Sequence, residues 1–350
     1  MIPDAAPLAP KLSRLLEMGF ERVDDASAAT EVHRLGRGRV LVTTGRPAMG
    51  TLVSVSAIGT SQARVEEGIG RAFAEMDRLI GIFSRFDATS ALTALNEAGR
   101  LPKPPPELAY VVARALEYHA ITHSAFDISV EPLVDLFRDR LAGIGRVPPS
   151  DALVREALAL VGARHVAASD REIRFAKPGM GVTLDGIAKG YIVDEMAGLL
   201  TRRGVRDFLI NAGGDIRTAG AAERGRPWTI GVRDPEAGTT FPDSIHLTDA
   251  AVATSGGYEI YCAADRRLHH ILDATTGRSP NQNASVSVIA PTAMAADALA
   301  TAAFVMDPER GLALVESLAG CACLILGHDG HEWRSRGWRS AVATTSSETE

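Results

Sequence analysis

From Phe208 onward the chain is a run of short strands broken by glycine turns: FLINAGGDIRTAG, WTIGVRDP, AVATSGGYEIYCAA and LHHILDATTGRSP. That density of strands is the strongest constraint on the fold, because parallel pairing needs a long crossover, usually a helix, between strands. Strands here outnumber the helices available as crossovers, and no fixed-period repeat or low-complexity tract offers another architecture. A doubly wound fold is therefore disfavoured. An α+β fold with mixed or antiparallel sheets and flanking helices is expected.

The first half switches between the two periodicities. Residues 50–58, GTLVSVSAI, alternate apolar and small polar side chains as a half-buried strand does, and 62–83 carry helical spacing. Residues 84–96, SRFDATSALTALN, read as a loop and a short helix, and the four prolines within 102–106 as a spacer. Helices are expected over 107–122 and 151–161, and a hairpin at 165–168 and 172–175. Between them Phe126, Ile128 and Val130 alternate in strand-like fashion before Pro132 breaks the run. GVTLDGIAKGYIVDEMAGLLTRRG reads as a short strand, a glycine-bearing turn and an amphipathic helix closed by Gly204. A strand over 284–289, helices over 290–305 and 308–318, and a strand near 321–326 follow. Residues 1–40, with one amphipathic helix at 10–18, read as an extension; the domain spans 41–340, and 341–350 form a disordered tail.

The length of 350 residues leaves room for roughly two domains of ~150 residues or for one mixed unit. Basic residues number 37 against 43 acidic, a net charge of −6, and no basic run could follow a phosphate backbone. Nucleic acid is thereby disfavoured as a partner. The cysteines are Cys262, Cys321 and Cys323; none forms a CxxC pair, and reduced thiols are expected. No stretch approaches the ~18–20 apolar residues of a membrane span. The amino terminus has no signal-peptide pattern or lipobox, so a cytoplasmic protein is expected, with a periplasmic one left open if the chain is trimmed.

Several stretches carry chemistry. In the helix over 290–305, APTAMAADALATAAFV, Asp297 and Thr301 lie four residues apart on one face. Carboxylate plus neutral hydroxyl oxygen suits a hard cation such as Mg²⁺, although the same pattern also serves ordinary helix design. HHILDATTG sets one of two adjacent histidines toward each side of a strand end, where one could take a proton and Asp273 could orient it; an edge strand and an Asp turn would look the same. TLDGIAKGY brings Gly186 and Gly190 to a helix start, a place for a phosphate, with Lys189 beside it, or simply a structural turn. NAGGD and TSGGY add double-glycine turns. MGT and AFD supply Met49 and Phe126, which could pack on a flat ring or belong to the core, with Asp127 as a polar anchor.

Taken in order, MGT, SRFDATSALTALN, AFDISVEPLV, LDGIAKGYIVD, INAGGDI, ATSGGY, HHILDATTGR and SVIAPTAMAADALAT resemble the blocks of one family. That family is the ApbE proteins, FAD:protein FMN transferases. The resemblance implies an FAD-binding, Mg²⁺-dependent enzyme that attaches FMN through a phosphoester bond to a Thr or Ser of an acceptor flavoprotein, releasing AMP. It sets the metal ligands on Asp297, Thr301 and the Gly186 carbonyl, with Ala300 where some members add a carboxylate. It sets the FAD contacts on Met49, Phe86, Ala125, Phe126, Asp127, Lys189 and Leu272, and the base on His270. One departure stands out. Where the family usually reads DLGGIAKG, this chain has Thr183, with Asp185 two residues on; either could make the FAD contact at this turn. Two other readings accompany this one: an FAD pyrophosphatase that uses water as acceptor, and a non-catalytic FAD-binding protein.

Overall fold

The computed structural model describes residues 21–22, 28–142, 148–232, 243–257 and 269–339. The expected helix at 10–18, the tail at 341–350, Tyr258 and Cys262 lie outside them. The alternation at residues 51–59 roots the sheet. Val53, Val55 and Ala57 are fully buried and pair with Ala212, Ile210 and Phe208, so one face of both strands is apolar.

Among the described residues ten strands form one sheet: β1 (Glu21–Arg22), β2 (Ala29–Arg34), β3 (Val40–Ala48), β4 (Thr51–Gly59), β8 (Asp207–Ala212), β9 (Asp215–Ala219), β12 (Ala251–Gly256), β13 (Asn283–Ala290), β14 (Ala322–Gly327) and β15 (Glu332–Arg334), hydrogen-bonded in that order. Every described pairing in this sheet is antiparallel, the second of the two sheet types, mixed or antiparallel, that the strand density allowed. β5 (Arg100–Pro102), β6 (Val166–Ala168) and β7 (Glu172–Phe175) form a small second sheet, and β10 (Trp228–Val232) pairs with β11 (Asp243–Leu247). The helices are α1 (Gln62–Phe83), α2 (Ala91–Ala98), α3 (Pro106–Ile121), α4 (Glu131–Ala142), α5 (Asp151–Leu158), α6 (Ala188–Arg202), α7 (Ala293–Val305) and α8 (Pro308–Ser317). The boundary expected near residue 40 falls inside a hairpin, because β2 pairs with β3 along its whole length.

On the apolar face of the large sheet α1 packs on α6, α6 on α7, and α7 on β12 and β13, enclosing the main core. The opposite face is covered by β10 and β11, whose Trp228, Ile230, Val232, Ile245 and Leu247 sit over Ile58, Ile216, Val252 and Leu324. Two two-residue turns meet at one edge. Met49 and Gly50, both at positive φ, join β3 to β4, and Gly213 and Gly214 join β8 to β9. A Cβ on Gly213 would lie 2.3 Å from the Thr51 hydroxyl, so only glycine lets the turns touch.

Three expected extended segments are not strands. Residues 128–130 form a 3₁₀ turn that runs straight into α4, because the Asp127 carboxylate accepts the Ser129 N–H and Pro132 is tolerated in a first helical turn. Residues 181–184 lack a strand partner: the Asn96 side chain pairs with both the N–H and C=O of Val182, and Ile128 C=O accepts the Thr183 N–H. The 269–277 segment is a turn closed by Asp273, whose carboxylate accepts the Thr275 N–H and the Thr276 hydroxyl.

Candidate active site

The helix α7 is apolar on all sides, and nearly all of it is buried. Its one acidic residue, Asp297, is 4% exposed. Close packing brings a partner: a Cβ on Gly190 would stand 2.3 Å from the Ala293 carbonyl oxygen, so α6 and α7 can approach only through a glycine. At that approach the Gly190 N–H donates to Asp297 Oδ2 at 3.1 Å. Asp194 of α6 fastens the same pair of helices, accepting the Ala293 and Met294 N–H groups at 2.9 Å each. Lys189 is held by Asp215, 2.8 Å from Nζ to Oδ2, where β9 leaves its glycine turn. Burial, and next the charge of Asp215, push the Asp297 carboxyl well above the carboxylate range; Lys189 and the Gly190 amide oppose them.

Gly186, in the turn before α6, meets Thr301 of α7. A Cβ on Gly186 would lie 2.9 Å from Thr301 Oγ1 and 3.3 Å from the Phe126 ring, and Ser255 of β12 stands 3.3 Å from the Thr301 hydroxyl. The turn and the helix that the sequence singled out, more than a hundred residues apart, are thus adjacent. Ala300 is fully buried and contributes only a methyl group. Asp185 and Phe86 reach the same turn through Arg85, which lies 3.1 Å from Asp185 and over the Phe86 ring at 4.8 Å. Phe86 is 74% exposed, the most open large apolar side chain of the described residues.

The remaining candidates, apart from Phe126 beside Gly186, belong to the surroundings of this centre. Phe126 is buried edge-on to Tyr118, and Asp127 is engaged by Ser129, the Ala163 N–H at 3.1 Å and the His119 ring at 3.4 Å. Met49 and Ala125 are partly buried against the main core, and Leu272 belongs to a separate cluster with Leu133, Phe137 and Val154. The two histidines divide as expected: His269 is buried, its Nε2 2.8 Å from the Pro280 carbonyl oxygen and its ring against Phe304 of α7, whereas His270 is partly exposed. Burial depresses the His269 pKa. A Cβ on Gly257 would lie 2.9 Å from the His269 ring, so the TSGGY turn and HHILDATTG pack together.

Among the described residues no three His, Cys, Asp or Glu side chains converge as a metal cluster. The centre instead brings together one carboxylate, Asp297, one hydroxyl, Thr301, and the backbone of Gly186. Asp297 is buried near Asp215, whose carboxylate takes the Lys189 ammonium, so a bound divalent ion would favour the ionised form of Asp297 against burial, and an all-oxygen donor set suits Mg²⁺. The residues present therefore fit such an ion.

A family model described as the ApbE family matches residues 49–325. The chain belongs to the ApbE family. It is 29% identical over 337 residues to the FAD:protein FMN transferase of Salmonella typhimurium, covering 93% of this chain and 92% of that protein. The enzyme of the same name from Treponema pallidum is 32% identical over 305 residues, covering 80% and 83% of the two chains. Among solved structures, the ApbE protein of Thermotoga maritima superposes with a TM-score of 0.75 at 32% identity, covering 85% of this chain and 97% of that one. The flavin transferase ApbE of Vibrio cholerae gives 0.73 at 28%, covering 87% and 98%. The α+β fold read from the sequence is the fold of these ApbE structures.

Four charged residues in and around the centre were not legible as partners within the separate ApbE blocks. Asp215 closes NAGGD, which read only as a turn, yet it is the partner of Lys189. Asp194, Arg85 and Glu131 also lie inside or beside recognised blocks, but a charge in a motif says nothing of its partner until the chain has folded.

Proposed function

We propose that this ApbE protein is an FAD:protein FMN transferase, that it uses Mg²⁺, and that the acceptor is a Thr or Ser hydroxyl of a flavoprotein. The observation that carries the reading is the convergence of Gly186, Asp297 and Thr301, with Lys189 pinned beside them. Asp297, Thr301 and the Gly186 carbonyl would hold the ion, which supplies charge neutralisation at the pyrophosphate of FAD. The acceptor oxygen forms a bond to the FMN-side phosphorus, the bond from that phosphorus to the bridging oxygen breaks, and AMP leaves with that oxygen. Lys189, its ammonium fixed by Asp215, offers a positive charge to the phosphates. Phe86 offers an open aromatic face to a flat ring. His270, partly exposed beside the buried His269, takes the acceptor proton.

Incubation with FAD and Mg²⁺, with and without a flavin-accepting protein domain carrying a target Thr, tests the proposal. Covalent flavin fluorescence on the acceptor in a denaturing gel, with equimolar AMP, is expected. AMP and free FMN at an undiminished rate without covalent product would instead indicate a pyrophosphatase, and FAD left intact would overturn catalysis altogether.

A further inference from the structure

Arg85 joins three segments that are distant in sequence. Its side chain is 8% exposed. Nη1 donates to both carboxylate oxygens of Glu131 at 3.0 and 3.1 Å and lies 3.4 Å from Asp135, both residues of α4. Nε forms an ion pair with Asp185, in the turn before α6, at 3.1 Å without hydrogen-bond geometry, and Cζ lies 4.8 Å from the centre of the Phe86 ring. A lone surface ion pair contributes little, but here one largely buried guanidinium is fixed by hydrogen bonds to Glu131 of α4 and also carries the charge partner of the turn side chain Asp185. Burial works against the Arg85 charge; Asp185, Glu131 and Asp135 outweigh it and raise its pKa.

The turn itself departs from DLGGIAKG in a correlated way. Thr183 is buried, and its hydroxyl accepts the Asp185 N–H at 3.2 Å, while the carboxylate stands at 185, its side chain 55% exposed, in the place of a glycine. A residue next to Gly186 that would otherwise be free to rotate is therefore tied to α4. We propose that the Arg85–Asp185 pair is the positioning device of the Gly186 turn, aligning its carbonyl with Thr301 and coupling that alignment to the placement of Phe86. This role rests on reading Gly186, Asp297 and Thr301 as the seat of a divalent ion.

Two variants test it, Asp185→Asn, a near-isosteric change at a half-exposed position, and Arg85→Lys, which keeps charge but not the guanidinium. In the ligand-free protein, hydrogen exchange in both 184–190 and 84–90 is expected to quicken about tenfold as the local opening free energy falls. In FAD cleavage, the half-saturating Mg²⁺ concentration is expected to rise about fivefold while the rate at saturating Mg²⁺ stays within about twofold, the signature of a residue acting through a ligand group. Exchange unchanged in 84–90 of Asp185→Asn, or a lowered melting temperature with unaltered Mg²⁺ half-saturation, would overturn the proposal. If the wild-type protein leaves FAD intact the functional reading fails, and the exchange measurement still decides whether the two segments are coupled.

Discussion

The two charge clusters around this site are built from the same residue types and end up opposite in character. In the deep cluster the Lys189 ammonium pairs with Asp215, and burial holds the Asp297 carboxyl well above its ordinary pKa against the pull of Lys189 and the Gly190 amide. At the rim Glu131, Asp135 and Asp185 share one guanidinium, but two of the three are part-exposed and Arg85 reaches all of them. The contrast separates a ligand from a brace. A buried carboxylate left short of positive charge is poised for a cation from solution, whereas carboxylates gathered on an internal arginine hold the chain in place.

The largest expected effect separates the two directly. Asp297→Asn should lower FAD cleavage by about a thousandfold or more. It should also raise the melting temperature of the ligand-free protein, since an amide has no ionisation for burial to suppress. Loss of activity measured by AMP release, with a fall in melting temperature, would place Asp297 with the braces.

Next comes the pH response of the rim. Burial pushes the Glu131 carboxyl from 4.5 to about 7. Because its folded pKa lies above the unfolded one, its contribution to stability is fully present below the unfolded value and is lost as pH rises through the folded one. Glu131→Gln cannot titrate, so wild-type stability relative to this variant should fall by about 3 kcal/mol between those two pH values. Urea unfolding across the window measures it, and a flat difference would mean that Arg85 fully compensates Glu131. Smaller again, Gly190→Ala should cost about 2 kcal/mol by forcing α6 from α7. Its melting temperature should fall, and a normal value would show that the helices can separate freely. Smallest, Phe86→Ala should weaken FAD binding about fivefold, roughly 1 kcal/mol, with stability unchanged because the ring is already in water. Fluorescence titration with FAD reads this, and an unaltered affinity would remove Phe86 from the site.

Sequence alone was enough for an α+β fold with mixed or antiparallel sheets, since short glycine turns join many of the alternating strands, for α1 and α6 through their periodicity, and for α7 through its Pro-Thr start. It also marked the Gly186 turn and the Asp297 helix, because both lie in blocks whose order is specific to one family. It could not place residues 126–130, 181–184 or 269–277, where a side chain replaces a strand as hydrogen-bond partner: Asp127 for Ser129, Asn96 for Val182, Asp273 for Thr275. Only the tertiary structure decided that Lys189 belongs to Asp215, that Arg85 belongs to Asp185, and that Asp297 is buried enough to lose its ordinary pKa. The reason is physical. Periodicity and turn chemistry act over a few neighbouring residues, whereas desolvation and ion pairing depend on which distant segments the packed helices bring within a few ångströms of one another.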